Sequence, residues 1–130
     1  DSVDINVSVV AKHPKIRTWV DDRLREIQGS FVIDGRDMGT AVFPHAPYKF
    51  YLDAPVAVRA SRRVGERVAD LENVTEALNR RDILDAEQSK PAPDAIHVNT
   101  EHLSLAQVID RIFAHIVRSH PSLSLAEEVR

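Results

Sequence analysis

The sequence predicts an α/β domain in which helices flank a parallel sheet, and three observations support that fold class. Short apolar runs at residues 31–34, 48–53 and 95–99 have the length of buried strands. Stretches with helical periodicity separate these runs, so strands and helices alternate along the chain. The first two runs are also too far apart for a tight hairpin, which favours parallel pairing.

Composition limits the classes of function. The chain has 130 residues, enough for one domain with a real core, and a net charge of −3 with acidic and basic residues interspersed. This charge pattern lacks a basic footprint, so we expect neither a nucleic-acid partner nor a membrane partner. The absence of cysteine excludes disulfides and thiolate metal sites. We find no membrane-spanning run and no signal peptide, and we expect a cytoplasmic protein.

Four helices are predicted around the strands. They cover residues 14–28, a segment that runs from residues 54–55 into an arginine-rich stretch, residues 73–84, and a last helix from Leu105 to Ile116. Pro14 suits the first turn of the first helix and Gly29 its end, while Asp53 can cap the second helix. Residues 5–11 resemble a strand in composition, yet they could lead into a helix.

The last helix has the clearest local signals. Ser104 and Gln107 form a capping box, and Leu103 can pack as a staple onto Val108. Apolar residues recur along one stripe of this helix, as they do along the first. Trp19 and Phe113 lie in these stripes and are expected in the core.

The most informative segment is FVIDGRDMGTAVFP at residues 31–44. An apolar run followed by a charged, glycine-containing loop is where α/β folds place ligands. Asp34-Gly35 between apolar runs is also a β-hairpin signal. The loop carries more charges than a turn needs, however, and prolines at 44 and 47 suit a loop better than a paired strand.

This segment closely resembles the DGRDxGT-xVFP loop of the cytidylate (CMP) kinase family. Three further segments are similar to that family's motifs, and together they extend the resemblance over about residues 8–116. They are VSVVAKHPKIR at residues 7–17, APVAVRASRR at residues 54–63, and NRRDILD at residues 79–85.

The resemblance implies the fold of a P-loop nucleoside-monophosphate kinase and transfer of the γ-phosphoryl group of ATP to CMP or dCMP, with Mg²⁺. It implies a kinase core over residues 1–118, with a lid at about residues 59–88, and a flexible tail at residues 119–130. No Gly-x-x-x-x-Gly-Lys-Ser/Thr occurs in the chain. We therefore expect the C-terminal part of such a kinase, without its first strand and phosphate loop. Such a chain would be inactive without that N-terminal segment or another copy of itself.

The resemblance also assigns the CMP-binding residues. Ser8 and Arg17 would face the cytosine ring together with Asp37, whose carboxylate can accept a hydrogen bond from the 4-amino group. Uracil presents an oxygen there, so a buried site of this kind would reject it. Arg36 would bind the 5′-phosphate, and Asp34 would orient Mg²⁺ through water.

Arginines in the second predicted helix have two interpretations. Arg59, Arg62, Arg63 and Arg67 share one helix face, which composition alone assigns to a solvated surface with acidic neighbours. Arg also suits phosphate, because its planar fork matches phosphate oxygens and keeps its charge. The resemblance implies the second interpretation, with Arg62 and Arg63 as catalytic residues on the ATP phosphates.

Arg81 and Asp85 lie one helical turn apart, which by itself predicts an i,i+4 ion pair. The resemblance instead puts Arg81 on the CMP phosphate, as a third catalytic arginine, and Asp85 on the ribose hydroxyls. The chain departs from the family at Gln88, where the family has an arginine, and Lys90 is the nearest replacement.

Two alternatives to a CMP kinase remain open. One is a non-catalytic nucleotide-binding or interaction module on the same fold, and the other is a related kinase with a different substrate. The set of Ser8, Arg17 and Asp37 argues against the second. The histidines lack the three- or four-residue spacing of helical metal ligands, so no metal site is predicted from them.

Overall fold

The computed structural model describes residues 9–65 and 70–119. Its regular elements in chain order are α1 (Pro14–Arg25), a π-helical turn (Met38–Val42), β1 (Phe50–Asp53), α2 (Val56–Val64), α3 (Leu71–Asp85), β2 (Ile96–Asn99) and α4 (Leu105–Ser119). Residues 9–11 are also helical, so the described end of the segment predicted as strand or helix is a helix. The predicted tail lies almost wholly outside the described residues, and its first residue, Ser119, ends α4.

The two strands pair in parallel, which confirms the predicted parallel sheet, although the sequence argument for parallel pairing concerned residues 31–34 and 48–53. Phe50 lies opposite Ile96, and the register continues to Asp53 opposite Asn99. Thr100 extends the ladder, because its backbone N–H and its hydroxyl both donate to the Asp53 carbonyl, at 2.8 and 3.1 Å. The carboxyl ends of both strands therefore lie side by side, where α/β folds place their ligands.

The strand predicted at residues 31–34 is wrong. These residues have no regular structure, and Val32 is 99% exposed. An extended segment forms no ladder hydrogen bonds without a neighbouring strand, and in the described sheet β1 pairs with β2 alone. The apolar composition of the run predicted burial, but Phe31 and Val32 are exposed.

Helix ends follow the predicted signals in part. The capping box of α4 is confirmed: Ser104 N–H donates to Gln107 Oε1 at 2.8 Å, and Gln107 N–H donates to Ser104 Oγ at 3.2 Å. The predicted cap at Asp53 is wrong, because α2 begins at Val56 and Pro55 occupies its N-cap without a side-chain hydrogen bond.

The first helix ends earlier than its sequence pattern predicts. Its last residue is Arg25 rather than residue 28, and Glu26 follows as the C-cap. Gly29 has a φ of 83°, a backbone conformation that glycine adopts at little cost. The glycine thus lies in a bend after α1, whereas residues 27 and 28 already lie outside the helix.

The buried core lies between the sheet, the π-helical turn and the pair of helices α2 and α3, which pack against each other. Its apolar members are Val42, Ala54, Ala60, Leu78, Ala92 and Val98. Neither α1 nor α4 contains a buried residue. Trp19 is 62% exposed and Phe113 is also exposed, so the expectation that both belong to the core is wrong for the described chain. Within these residues, no helix combines the length and apolar character that crossing a bilayer requires.

Candidate functional site

The charged loop of the sequence motif leads into the π-helical turn. The backbone N–H groups of Thr40, Ala41 and Val42 all converge on the Asp37 carbonyl, at 2.9 to 3.3 Å. A side chain at Gly39 would bring its Cβ within 3.2 Å of Lys49 Cδ, so glycine lets the turn approach that lysine. Arg36 and Asp37 come directly before this turn, and the hydrogen bonds to the Asp37 carbonyl hold this part of the loop in place.

Lys49 lies next to the π-helical turn and binds the loop that follows it. Its side chain is 7% exposed, and Nζ donates to the Pro44 carbonyl and, at 3.0 Å, to Asp94 Oδ1. The hydrogen bond from Lys49 lowers the pKa of the Asp94 carboxyl below its ordinary value. Sequence reasoning missed this lysine, because nothing in its local pattern indicates a contact with a backbone carbonyl across the loop.

A first pair of predicted site residues meets beside the turn. Arg17 Nη2 donates to Asp37 Oδ2 at 2.8 Å, joining α1 to the loop. The carboxylate is largely shielded, whereas the guanidinium is partly exposed. Arg17 also borders a groove of about 420 Å³ with a largely apolar lining. The third residue predicted for this group, Ser8, lies outside the described residues.

A second cluster forms around Asp85. Its Oδ2 contacts Arg36 Nη1 from the loop and, at 3.5 Å, Arg81 Nε from one turn earlier in α3. The same-face placement of Arg81 and Asp85 is therefore confirmed, although Arg36 makes the closer contact. Arg36 and Asp37 are consecutive, so the two clusters are neighbours.

A polar cleft of about 230 Å³ opens at this second cluster. Four arginines, two aspartates, one serine and one leucine line it: Arg36, Arg59, Arg63, Arg81, Asp82, Asp85, Ser89 and Leu78. Clustered guanidinium groups of this kind favour a ligand with phosphate oxygens, and carboxylates favour hydroxyl donors.

The described arginines of the predicted face have different partners, and Arg67 lies outside the described residues. Arg59 forms a two-pronged pair with Asp82 of α3, with Nη1 at 3.0 Å from Oδ1, and its Nε donates to the Ala54 carbonyl at 3.0 Å. That side-chain hydrogen bond lowers the pKa of the Asp82 carboxyl and raises the pKa of the Arg59 guanidinium. Sequence reasoning missed Asp82, because the pairing crosses between two helices.

The two arginines predicted to bind ATP phosphates lie in different environments. Arg62 donates to Thr100 through Nη1, at 2.9 Å from Oγ1, and through Nη2 to the Thr100 carbonyl, so it is tied to the end of β2. Arg63 lines the polar cleft and has no ion-pair partner among residues 9–65 and 70–119. The structure therefore brings Arg63 to the cleft of Arg36 and Arg81, but not Arg62.

Asp34, the predicted magnesium-orienting residue, is exposed and forms no ion pair with any described residue. No group of three or more metal-binding side chains occurs in the part of the chain that the structure describes. Lys90 does not replace the arginine that the family has at the position of Gln88, because Lys90 Nζ binds Glu87 Oε2 at 2.8 Å on the surface. The extra positive charge expected at that place is therefore absent from the described cluster.

This α/β chain thus combines two neighbouring arginine–aspartate clusters with a cleft lined by four arginines. Comparison with known proteins makes this specific: the family model for cytidylate kinase matches residues 1–118. The chain belongs to the cytidylate kinase family, which confirms the resemblance seen in its motifs.

Curated relatives agree with the family match. The chain is 54% identical over 115 residues to a cytidylate kinase of Deinococcus deserti, and 51% identical over 115 residues to one of Deinococcus radiodurans; each match covers 88% of this chain and 56% of the relative. A cytidylate kinase of Thermus thermophilus is 51% identical over 116 residues, which cover 89% of this chain and 56% of the relative. The chain thus spans about half the length of the curated relatives it matches.

Proposed function

We propose that the protein carrying this chain is a cytidylate kinase that transfers the γ-phosphoryl group of ATP to CMP or dCMP, giving CDP or dCDP. This chain supplies the CMP-binding residues and the lid. One observation carries the proposal: the Arg17–Asp37 pair and the Arg36–Asp85–Arg81 cluster are neighbours through consecutive loop residues. A base-binding group and a phosphate-binding group so placed suit one nucleoside monophosphate.

The base would be recognised by Asp37. Its carboxylate accepts hydrogen bonds only, so it matches the 4-amino group of cytosine and opposes the 4-oxygen of uracil. Arg17 donates a hydrogen bond to that carboxylate and can offer its other donors to the ring. Ser8 completes the proposed set at the remaining polar atom of the base.

The ribose and phosphate of CMP would replace the ion-pair partners of the charged residues in the cleft. In the structure, Arg36 and Arg81 both pair with Asp85. A monophosphate offers each guanidinium two charged oxygens, and a ribose diol offers Asp85 two donors. Because these arginine–aspartate contacts are partly exposed, their replacement costs little, on the order of 1 kcal/mol per pair.

The lid would bind ATP through Arg63 and Arg62. Arg63 suits this role in the structure as it stands, because it lines the polar cleft without a described ion-pair partner. Arg62 would have to leave Thr100 or act from that position. Positioning and charge neutralisation carry most of the catalysis in phosphoryl transfer, so arginines rather than nucleophiles are the expected catalytic residues.

The magnesium requirement fits a single carboxylate. Mg²⁺ keeps several waters and is held by one or two carboxylates together with substrate phosphates. Asp34 is exposed and unpaired among the described residues, so its carboxylate can orient such a hydrated ion. When bound, Mg²⁺ supplies neutralisation of phosphate charge.

The phosphate loop is proposed to come from a segment outside these 130 residues. The motif Gly-x-x-x-x-Gly-Lys-Ser/Thr does not occur in them, and the chain corresponds to about half of each relative. A copy of these 130 residues would lack the motif as well, so the loop is proposed to lie in a further segment of the full-length protein. The absence of cysteine agrees with the reducing cytoplasm, which we propose as the location.

Phosphotransfer by the full-length protein tests the proposal. With ATP and Mg²⁺, ADP formation is measured against CMP, dCMP, UMP and AMP under identical conditions. The proposal predicts turnover with CMP or dCMP and an efficiency lower by about 10⁴ with UMP, as for buried sites that leave a polar group unpaired. Equal turnover of all four nucleotides, or none, would reject it.

A non-catalytic nucleotide-binding module is the second candidate, favoured by the missing phosphate-loop motif. Titration calorimetry with CMP separates it from the kinase. Binding of CMP without ADP formation by the full-length protein supports the module, whereas binding with turnover supports the kinase.

A further inference from the structure

The attachment of α1 to the rest of the described protein depends on charge. No residue of α1 is buried, and its apolar side chains Ile16, Trp19 and Val20 are all exposed. Apolar contacts therefore hold the helix weakly, since the hydrophobic contribution scales with the area removed from water. Its position must be set by a small number of polar contacts.

Two side chains make those contacts within the described residues. Arg17 donates to Asp37 at 2.8 Å, before the π-helical turn. Arg25 donates from Nε to the Val42 carbonyl at 3.0 Å and from Nη2 to the Ala41 carbonyl at 3.1 Å, at the end of the turn. The two arginines lie about two helical turns apart, so together they fix both the distance and the rotation of α1.

The Arg25 contact has a clear physical reason. The last carbonyls of a helical turn have no backbone N–H to accept from, and they carry partial negative charge. A guanidinium that donates to two of them satisfies both at once, and hydrogen bonds with a charged partner are stronger than neutral ones. Val42 is buried, so one of the two carbonyls belongs to a well-packed residue.

We propose that Arg25 is a positioning residue for base recognition: by capping the π-helical turn it holds α1 in the place where Arg17 meets Asp37. Arg25 itself does not touch the nucleotide. This inference rests on the proposed function, because Arg17 and Asp37 are its base-recognition pair. It deepens that function by naming what makes the pair selective.

Kinetics of the full-length protein test the inference through a change that a purely structural role would not produce. Arg25→Met should raise the KM for CMP at least about tenfold, equivalent to about 1.4 kcal/mol. It should also narrow the preference for CMP over UMP, while the KM for ATP stays within about twofold. Arg25→Lys, which keeps the charge but loses the fork, should recover part of the loss.

Arg23→Met is the matched control on the same helix. Arg23 pairs with Glu26 at 3.0 Å and lies over the Trp19 ring, without contact to the turn. This variant should keep the KM for CMP and the base preference of the unchanged protein. The inference is overturned if Arg25→Met keeps both as well, or if it raises the KM values for CMP and ATP equally.

A spectroscopic readout separates this inference from the proposed function. In ¹⁵N spectra of the full-length protein, the Arg17 Nη2–H resonance reports whether Arg17 is hydrogen-bonded to Asp37. Arg25→Met should move that resonance toward its position in Asp37→Asn, even if no phosphotransfer to CMP is detected. An unmoved resonance would overturn the role of Arg25, whereas a moved resonance without CMP turnover would reject only the proposed function.

Discussion

The sheet and helices α2 and α3 differ sharply from the first and last helices of the chain. In β2, α2 and α3, apolar residues are buried, and ion pairs cross between elements, as in Arg59–Asp82. In α1 and α4 no residue is buried, although both helices have an apolar stripe. Both regions are regular, so the difference lies in what covers them.

The comparison separates two kinds of information. The ion pairs between α2 and α3, such as Arg59–Asp82, are formed by residues that this chain contains. The apolar stripes of α1 and α4 indicate which side chains of each helix are suited to burial, but the described residues do not cover them. Under the proposed function, a further segment or a second copy provides the cover.

The largest expected effect is on residues 1–130 produced alone. Uncovered apolar surface costs about 25 cal/mol per Å², so a few hundred Å² rivals the 5–15 kcal/mol stability of a typical domain. We expect non-cooperative thermal unfolding and strong binding of a hydrophobic dye, whereas the full-length protein unfolds cooperatively. A stable, monomeric chain that binds no dye would remove the contrast between the two regions.

A substitution in the core beside α2 and α3 should have the next largest effect. Leu78 is 5% exposed between α2 and α3, so Leu78→Ala should reduce the free energy of unfolding of the full-length protein by about 2–5 kcal/mol. Leu84 lies on the same helix but is 80% exposed, and Leu84→Ala should cost less than about 0.5 kcal/mol. Urea denaturation measures both, and equal costs would show that α3 is covered on its outer face.

The two lid arginines should differ in their effect on turnover. Arg63→Ala should lower kcat by about tenfold to a thousandfold, below the 10³–10⁵ of a single essential arginine, because neighbouring arginines share the charge. Arg62→Ala should reduce turnover less, since Arg62 is bound to Thr100. Steady-state kinetics at saturating CMP measure this. If both variants keep normal kcat, the arginine face is only a solvated surface.

The smallest effect is the pH dependence of the Arg59–Asp82 link. The pKa of Asp82 is lowered in the folded protein, so its stabilisation is present above the unfolded pKa of about 3.9 and is lost as the pH falls through the lower folded value. Asp82→Asn should therefore flatten the loss of stability below about pH 4. Because the pair is partly exposed, the change at neutral pH should be about 1 kcal/mol or less. An unaltered acid slope in urea titrations would contradict the link.

Motifs predicted the chemistry of the site better than the packing around it. Arg81 pairs with Asp85 as their spacing predicted, and Arg17 pairs with Asp37, two residues that the resemblance placed in one group. Arg25 could not be found in this way, because its partners are backbone carbonyls of a turn that is distant in sequence. Periodicity indicates which face of a helix is apolar, but it does not indicate hydrogen bonds from a side chain to distant backbone carbonyls.

The strand predicted at residues 31–34 failed for a related reason. Its apolar composition is a local property, but a strand is stabilised by hydrogen bonds to a neighbour, which the described residues do not provide. The pairing of β1 with β2, in contrast, was predictable, since both strands and the helices that connect them are within the chain.

The effect of Asp37→Ala on CMP turnover in the full-length protein tests the central claim most directly. The control is Asp110→Ala, which removes an exposed carboxylate of α4 without a described partner. The account predicts that Asp37→Ala lowers kcat/KM for CMP by about tenfold or more, as expected from the loss of a charged hydrogen bond worth about 1.5–3 kcal/mol. It predicts an unchanged KM for ATP, and normal kinetics in Asp110→Ala. Unchanged CMP kinetics in Asp37→Ala would contradict the account.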